Sequence, residues 1–149
     1  MKKKDNKMFL EDKFLAFAHR GGNEFAPENS FKAFESAVNV GYKYLETDVH
    51  LTKDGFLIAF HDDSLDRVTN KSGLIRDLTL NEIKKAKIGG SEEIPLLSEL
   101  LISFPNCFFN IDCKVDETVL PLINLLKNSE FLNRVCIGSF SQKRINFIR

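Results

Sequence analysis

The chain has 149 residues, of which 43% are hydrophobic and 28% charged, the proportions of one ordinary globular domain. Lysine plus arginine and aspartate plus glutamate number 21 each, so the formal charge is zero and the basic excess of a nucleic-acid binder is absent. Fourteen phenylalanines, with no tryptophan, supply the apolar mass of a substantial core.

Residues 1–13 read as a polar leader. Its lysines precede only Met8, Phe9 and Leu10 before Glu11 and Asp12, so no secretory h-region forms. No stretch is long and apolar enough for a membrane span. Cys107, Cys113 and Cys136 are odd in number and lack metal spacing, which predicts reduced thiols in a cytoplasmic protein.

From residue 14 the chain alternates strand and helix signals. FLAFAH (14–19) is a short apolar run ending at Gly21 and Gly22 and reads as a buried strand. Asn29 or Ser30 caps a helix whose Phe31, Phe34, Ala37 and Val38 fall at helical spacing, and Gly41 ends it. Strands are predicted over 44–52 and 56–62, joined by a Lys53-Asp54-Gly55 turn. A polar segment over 63–95 holds one short amphipathic helix near residues 79–87. A helix at 96–104, a strand at 108–114, a helix at 119–128, a strand at 134–140 and the start of a further helix complete the chain. Such alternation implies an α/β protein with a parallel sheet, either doubly wound or closed into a barrel.

Strand periodicity places Glu46, Asp48 and His50 on one face of their strand and Asn110, Asp112 and Lys114 on one face of theirs. His19 and His61 end two other apolar runs. A parallel strand covered on both faces is normally apolar throughout, and buried charge must be paired or bound to a metal. All these residues fall toward the C-terminal ends of their strands, where α/β folds build active sites. Three carboxylates, Glu46, Asp48 and Asp112, favour a hard cation: magnesium, calcium or manganese. Two histidines on separate strands lack structural-zinc spacing but can divide acid and base roles. With Arg20 and Lys114 as positive charges, the set suits phosphoryl chemistry. His50 sits at the rim of the carboxylate face, and Asp62 and Asp63 read as turn and solvent positions.

Six blocks in order, HRGGNEFAPENS, ETDVHLTKDG, FHDDSLDRVTN, IPLLSELL, NIDCK and GSF, make the chain resemble the glycerophosphodiester phosphodiesterase family. The resemblance implies a (β/α)8 TIM-barrel type of fold and hydrolysis of a small-molecule glycerophosphodiester to glycerol 3-phosphate and an alcohol. It implies divalent-metal ligands at Glu46, Asp48 and Asp112, an acid–base pair at His19 and His61, and phosphate contacts at Arg20 and Lys114. The family commonly carries glutamate where this chain has Asp112. Residues 63–95 correspond to the family's small insertion, here placed after a third barrel strand, and Gly21 and Gly22 are expected to let the backbone pass close to substrate.

A complete barrel of this type takes about 250 residues. Only about the first five βα units are expected over 14–149, so the chain reads as a fragment, and open barrel edges invite self-association. Two alternatives accompany the main reading. One is a lysophospholipase D or sphingomyelinase D-like phosphodiesterase; the other is a truncated domain that binds phosphodiesters without turnover.

Overall fold

The computed structural model describes residues 14–127 and 130–148, so the leader predicted over 1–13 lies outside the described residues. Its strands are β1 (Phe17–Ala18), β2 (Tyr44–Leu51), β3 (Leu57–Ala59), β4 (Phe108–Cys113) and β5 (Val135–Gly138). Its helices are α1 (Phe31–Val40), α2 (Leu80–Ile83), α3 (Leu97–Ser103), α4 (Val119–Lys127) and α5 (Gln142–Ile148). Ser30, rather than Asn29, caps α1: its hydroxyl accepts from the Ala33 N–H at 3.1 Å. Gly41 ends the helix at a φ of 107°, which a side chain would resist. Among the described residues no helix is long and apolar enough to cross a membrane.

Four strands run parallel in the order β1-β2-β4-β5, with β2 and β4 in register so that Glu46 faces Asn110 and Asp48 faces Asp112. Helices follow β1, β4 and β5 directly and cover one face. There Leu45, Val49, Phe109 and Ile111 pack against Phe34 of α1, Leu97 and Leu100 of α3 and Leu122 of α4, all essentially buried. On the opposite face the pattern is graded from bottom to top. Phe17, Tyr44 and Phe108 stack at the N-terminal ends, with ring centroids 5.2–5.4 Å apart, and the carboxylates follow toward the C-terminal ends. An aromatic floor beneath a charged mouth is the layering of a barrel interior. This is part of an α/β barrel.

One expectation changes. The run at 56–62 is not a parallel barrel strand: β3 pairs with β2 antiparallel, with His50 opposite Ile58. The reason is length. Only residues 52–56 separate β2 from β3, whereas a parallel return needs a crossover of about a dozen residues or more. Thr52 and Gly55 close a hairpin turn, the Phe56 N–H donating to the Thr52 hydroxyl at 2.9 Å. Among the described residues the barrel part therefore holds four parallel strands rather than five, and the insertion belongs between β2 and α3.

From β3 to Ile94 the connection has a core of its own, built from Ile58, Phe60, Leu65, Ile75, Ile83, Ala86, Ile88 and Ile94. Thr79 and Glu82 form a reciprocal capping box that starts α2. The connection closes on itself where the Ala59 N–H donates to the Pro95 carbonyl at 2.9 Å.

Candidate active site

The seven residues singled out by the sequence, His19, Arg20, Glu46, Asp48, His61, Asp112 and Lys114, line one cavity of about 550 Å³. Asn110, Gly138, Ser139 and Phe140 complete its wall. Strand register explains the sheet side: β2 presents Glu46 and Asp48, while β4 presents Asp112 beside Asp48. Two carboxylates side by side repel unless a cation stands between them. Lys114 does so, its Nζ lying 2.8 Å from Asp48 Oδ1 and 2.7 Å from Asp112 Oδ2. Burial works to lower the Lys114 pKa, but the bonds to Asp112 and Asp48 outweigh it and the net shift is upward.

The loop after β1 brings His19 and Arg20. Arg20 has a left-handed backbone, φ 53°, unusual for a side-chain-bearing residue. That turn aims its N–H at Glu46 Oε2, 2.9 Å away, and lets His19 Nε2 approach the same oxygen at 3.8 Å. The Arg20 side chain does not project free into the cavity. Its Nη1 donates to Glu28 at 3.0 Å and its Nε lies 3.2 Å from Asp48 Oδ2. Gly21 is required where the loop meets α1: a Cβ there would sit 2.9 Å from the Phe34 nitrogen. It allows the loop to pack on the start of α1, whereas a Cβ on Gly22 would meet open space.

His61 comes from the loop leaving β3. The Phe60 N–H donates to the Asp48 carbonyl at 3.0 Å, and buried His50 places Nε2 3.1 Å from the His61 carbonyl. Two backbone anchors thus hold the His61 loop against the end of β2. Asp62 is not a solvent residue: its Oδ1 lies 2.6 Å from His61 Nδ1. Burial pushes the His50 imidazole below its ordinary pKa, favouring the neutral ring that its packed position requires. Burial likewise raises the Glu46 carboxyl despite the Arg20 N–H, and the Asp48 charge adds to the rise.

Three carboxylates are the donor chemistry that a hard divalent cation prefers, and the buried Asp112 Oδ1 lacks any hydrogen-bond partner. Among the described residues no three His, Cys, Asp or Glu side chains stand together closely enough to surround an ion. Lys114 occupies the space between two of the candidate ligands. Asp112, one methylene shorter than glutamate, meets that ammonium through Oδ2.

Residues 19–141 match the model of the glycerophosphoryl diester phosphodiesterase family. The chain belongs to this family. It is 39% identical over 131 residues to a probable glycerophosphodiester phosphodiesterase 2 of Mycobacterium tuberculosis, covering 87% of this chain and 50% of that protein. It is 38% identical over 151 residues to a glycerophosphodiester phosphodiesterase of Caldanaerobacter subterraneus, covering 92% of this chain and 62% of that protein. A phosphodiesterase of Oleispira antarctica, solved in complex with the product sn-glycerol-3-phosphate, superposes with a TM-score of 0.81 at 30% identity, over 89% of this chain and 60% of that one. The chain thus spans about half to three-fifths of the length of these family members.

Within the family's blocks, the structure gives work to residues that the sequence alone left as turn, cap or solvent positions. Asn29, buried and left-handed at φ 56°, donates from Nδ2 to Asp48 Oδ2 at 3.2 Å and accepts from the Thr47 hydroxyl at 2.9 Å. The signal for it was available: asparagine tolerates that backbone region better than most residues. Glu28 and Arg67 also carry charge contacts into the site. Their separation of 39 positions gave no local pattern to find.

Proposed function

We propose that the chain carries the catalytic half of a metal-dependent glycerophosphodiester phosphodiesterase, releasing glycerol 3-phosphate and an alcohol. The observation that carries this is the convergence of all seven candidate residues on one cavity from β2, β4 and the loops after β1 and β3. Glu46, Asp48 and Asp112 would hold a magnesium, calcium or manganese ion. A bound divalent cation supplies Lewis-acid stabilisation of the phosphate charge. Arg20 and Lys114 orient the phosphate oxygens and offset their charge. His61, with Nδ1 turned to Asp62, keeps Nε2 for the reacting proton. Exposed His19, beside Glu46, carries the second proton transfer at the opposite wall. Free thiols at Cys107, Cys113 and Cys136 support a cytoplasmic, reducing setting.

The test gives the purified 149-residue chain glycerophosphocholine or lysophosphatidylcholine, with each cation and with EDTA. Cation-dependent release of glycerol 3-phosphate is the expected result. Preference for the lysolipid would favour a lysophospholipase D, and binding without turnover would favour a non-catalytic domain. A cation that binds only the folded chain also raises its stability, by about 2.7 kcal/mol at a hundredfold excess over Kd, so thermal unfolding reads the site independently.

A further inference from the structure

Two separate pieces of chain build the walls of the cavity, and one side chain outside it joins them. Arg67, in the insertion, forks onto two carboxylates. Its Nε and Nη2 donate to Asp62 Oδ2 and Oδ1 at 2.5 and 3.1 Å. Its Nη2 and Nη1 donate to Glu28 Oε1 and Oε2 at 2.6 and 3.2 Å. Each carboxylate then turns inward. Asp62 meets His61 Nδ1 at 2.6 Å, and Glu28 accepts from Arg20 Nη1 at 3.0 Å. The chain of contacts runs on from Arg20 Nε to Asp48 on β2, at 3.2 Å.

We propose that Arg67 is a positioning residue, fixing the His61 imidazole and the Arg20 guanidinium in one geometry across the cavity. The inference rests on the reading that His61 carries a reacting proton. A single exposed ion pair contributes little, and the Arg67 side chain is half exposed. Its case differs because four donor bonds leave one planar group, and only the guanidinium fork can grip two carboxylates side by side. The backbone beneath it is also fixed. Leu65, two residues before, is buried in the insertion core, and the Thr69 hydroxyl donates to the Leu65 carbonyl at 2.8 Å.

The chemical consequence is a choice of tautomer. Hydrogen bonds from Arg67, with His61 adding to them, hold the Asp62 carboxyl at a pKa of about 2, so it is an acceptor only. His61 must then carry its neutral-state proton on Nδ1, which leaves the Nε2 lone pair for chemistry. Without Arg67, Asp62 loses the group that orients it and the ring is free to exchange tautomers. Glu28 likewise loses the bonds that counter its pull on Arg20.

Nitrogen-15 correlation spectra of the His61 ring test this without turnover, at a pH where the ring is neutral. The parent chain should show the Nδ1–H tautomer, and Arg67→Ala a mixture of both. In steady-state assays Arg67→Ala should lower kcat on the order of 10²-fold with KM little changed, the cost of a misplaced catalytic group. Arg67→Lys, which keeps the charge without the fork, should recover only part of that loss. An unchanged tautomer in folded Arg67→Ala, or full recovery by Arg67→Lys, would overturn the proposal. Should Arg67→Ala fail to fold, Glu28→Gln, which weakens one arm of the fork, decides by the same spectra. A parent chain that hydrolyses no phosphodiester counts against the proposed reaction alone, since the tautomer is still read.

Discussion

The sheet side and the insertion side of the cavity are held by different physics. Glu46, Asp48 and Asp112 stand on β2 and β4, whose register is fixed by backbone hydrogen bonds and by a core that holds seventeen buried residues among those described. His61 stands on a loop that leaves a three-residue strand, and the core behind it counts eight. Ion pairs through Asp62, Arg67 and Glu28 make up the difference. A side chain on a paired strand inherits its position from the sheet, whereas one on a loop must be held by its neighbours. The candidate carboxylates are therefore positioned by the fold, and His61 by a network.

The largest effect that probes this contrast is on rate. His61→Ala and His19→Ala should each slow hydrolysis by roughly 10²–10⁴-fold, the usual worth of general acid–base catalysis. Neither ring is buried, so the unfolding midpoints should stay near that of the parent. Steady-state assays with glycerophosphocholine check this. Full activity in His61→Ala would mean that the insertion side carries no chemistry.

Stability separates the regions next. Phe109, wholly buried on β4, should cost about 3–5 kcal/mol when cut to alanine, and the loss should be global. Ile83→Ala, at the centre of the smaller core, should cost about 2–5 kcal/mol. Its damage should fall within the insertion: amide exchange should quicken across 58–94 while β2 and β4 stay protected, as expected of a separate cooperative unit. Uniform acceleration in both variants would mean that the two cores open as one.

Helix caps give smaller and more nearly equal effects. Ser30→Ala at α1 and Thr79→Ala at α2 should each cost about 1 kcal/mol in denaturant titrations. Only the second should change exchange in the insertion.

The same contrast explains what could be read in the sequence. The alternation of Glu46 and Asp48 with Leu45 and Val49 revealed the polar face of β2, because a strand has a period of two and a covered strand has little reason to carry charge. The partial α/β barrel and the cavity-lining residues followed from that logic and from the family's blocks. The apolar run at 56–62 reads as a barrel strand by pattern alone, yet five linking residues are too few for a parallel crossover. Glu28 and Arg67 were illegible for another reason. Their contact, across 39 positions, depends on where the insertion folds back onto the β1 loop, and no local period encodes that approach. Gly21 also serves α1, which only the packed structure reveals.

The smallest effect is on pH dependence, and here the two sides should differ in sign. Asp62 is drawn from an ordinary 3.8 to about 2, chiefly by its bonds to Arg67. A depressed carboxyl contributes stability that is complete above pH 3.8 and is lost as pH falls toward about 2. Glu46, on the sheet side, is shifted upward by burial. Its contribution is complete below its ordinary 4.5 and is lost as pH rises through its raised value. Asp62→Asn should therefore be less stable than the parent at neutral pH, with the gap closing on acidification below pH 3.8. Glu46→Gln should be the more stable variant at neutral pH and lose that advantage as the parent's Glu46 becomes protonated. Urea titrations of the three proteins across this range would show the crossing. Parallel curves would mean that the ion-pair network and the buried carboxylate share one electrostatic environment, and that the loop side is held no differently from the sheet.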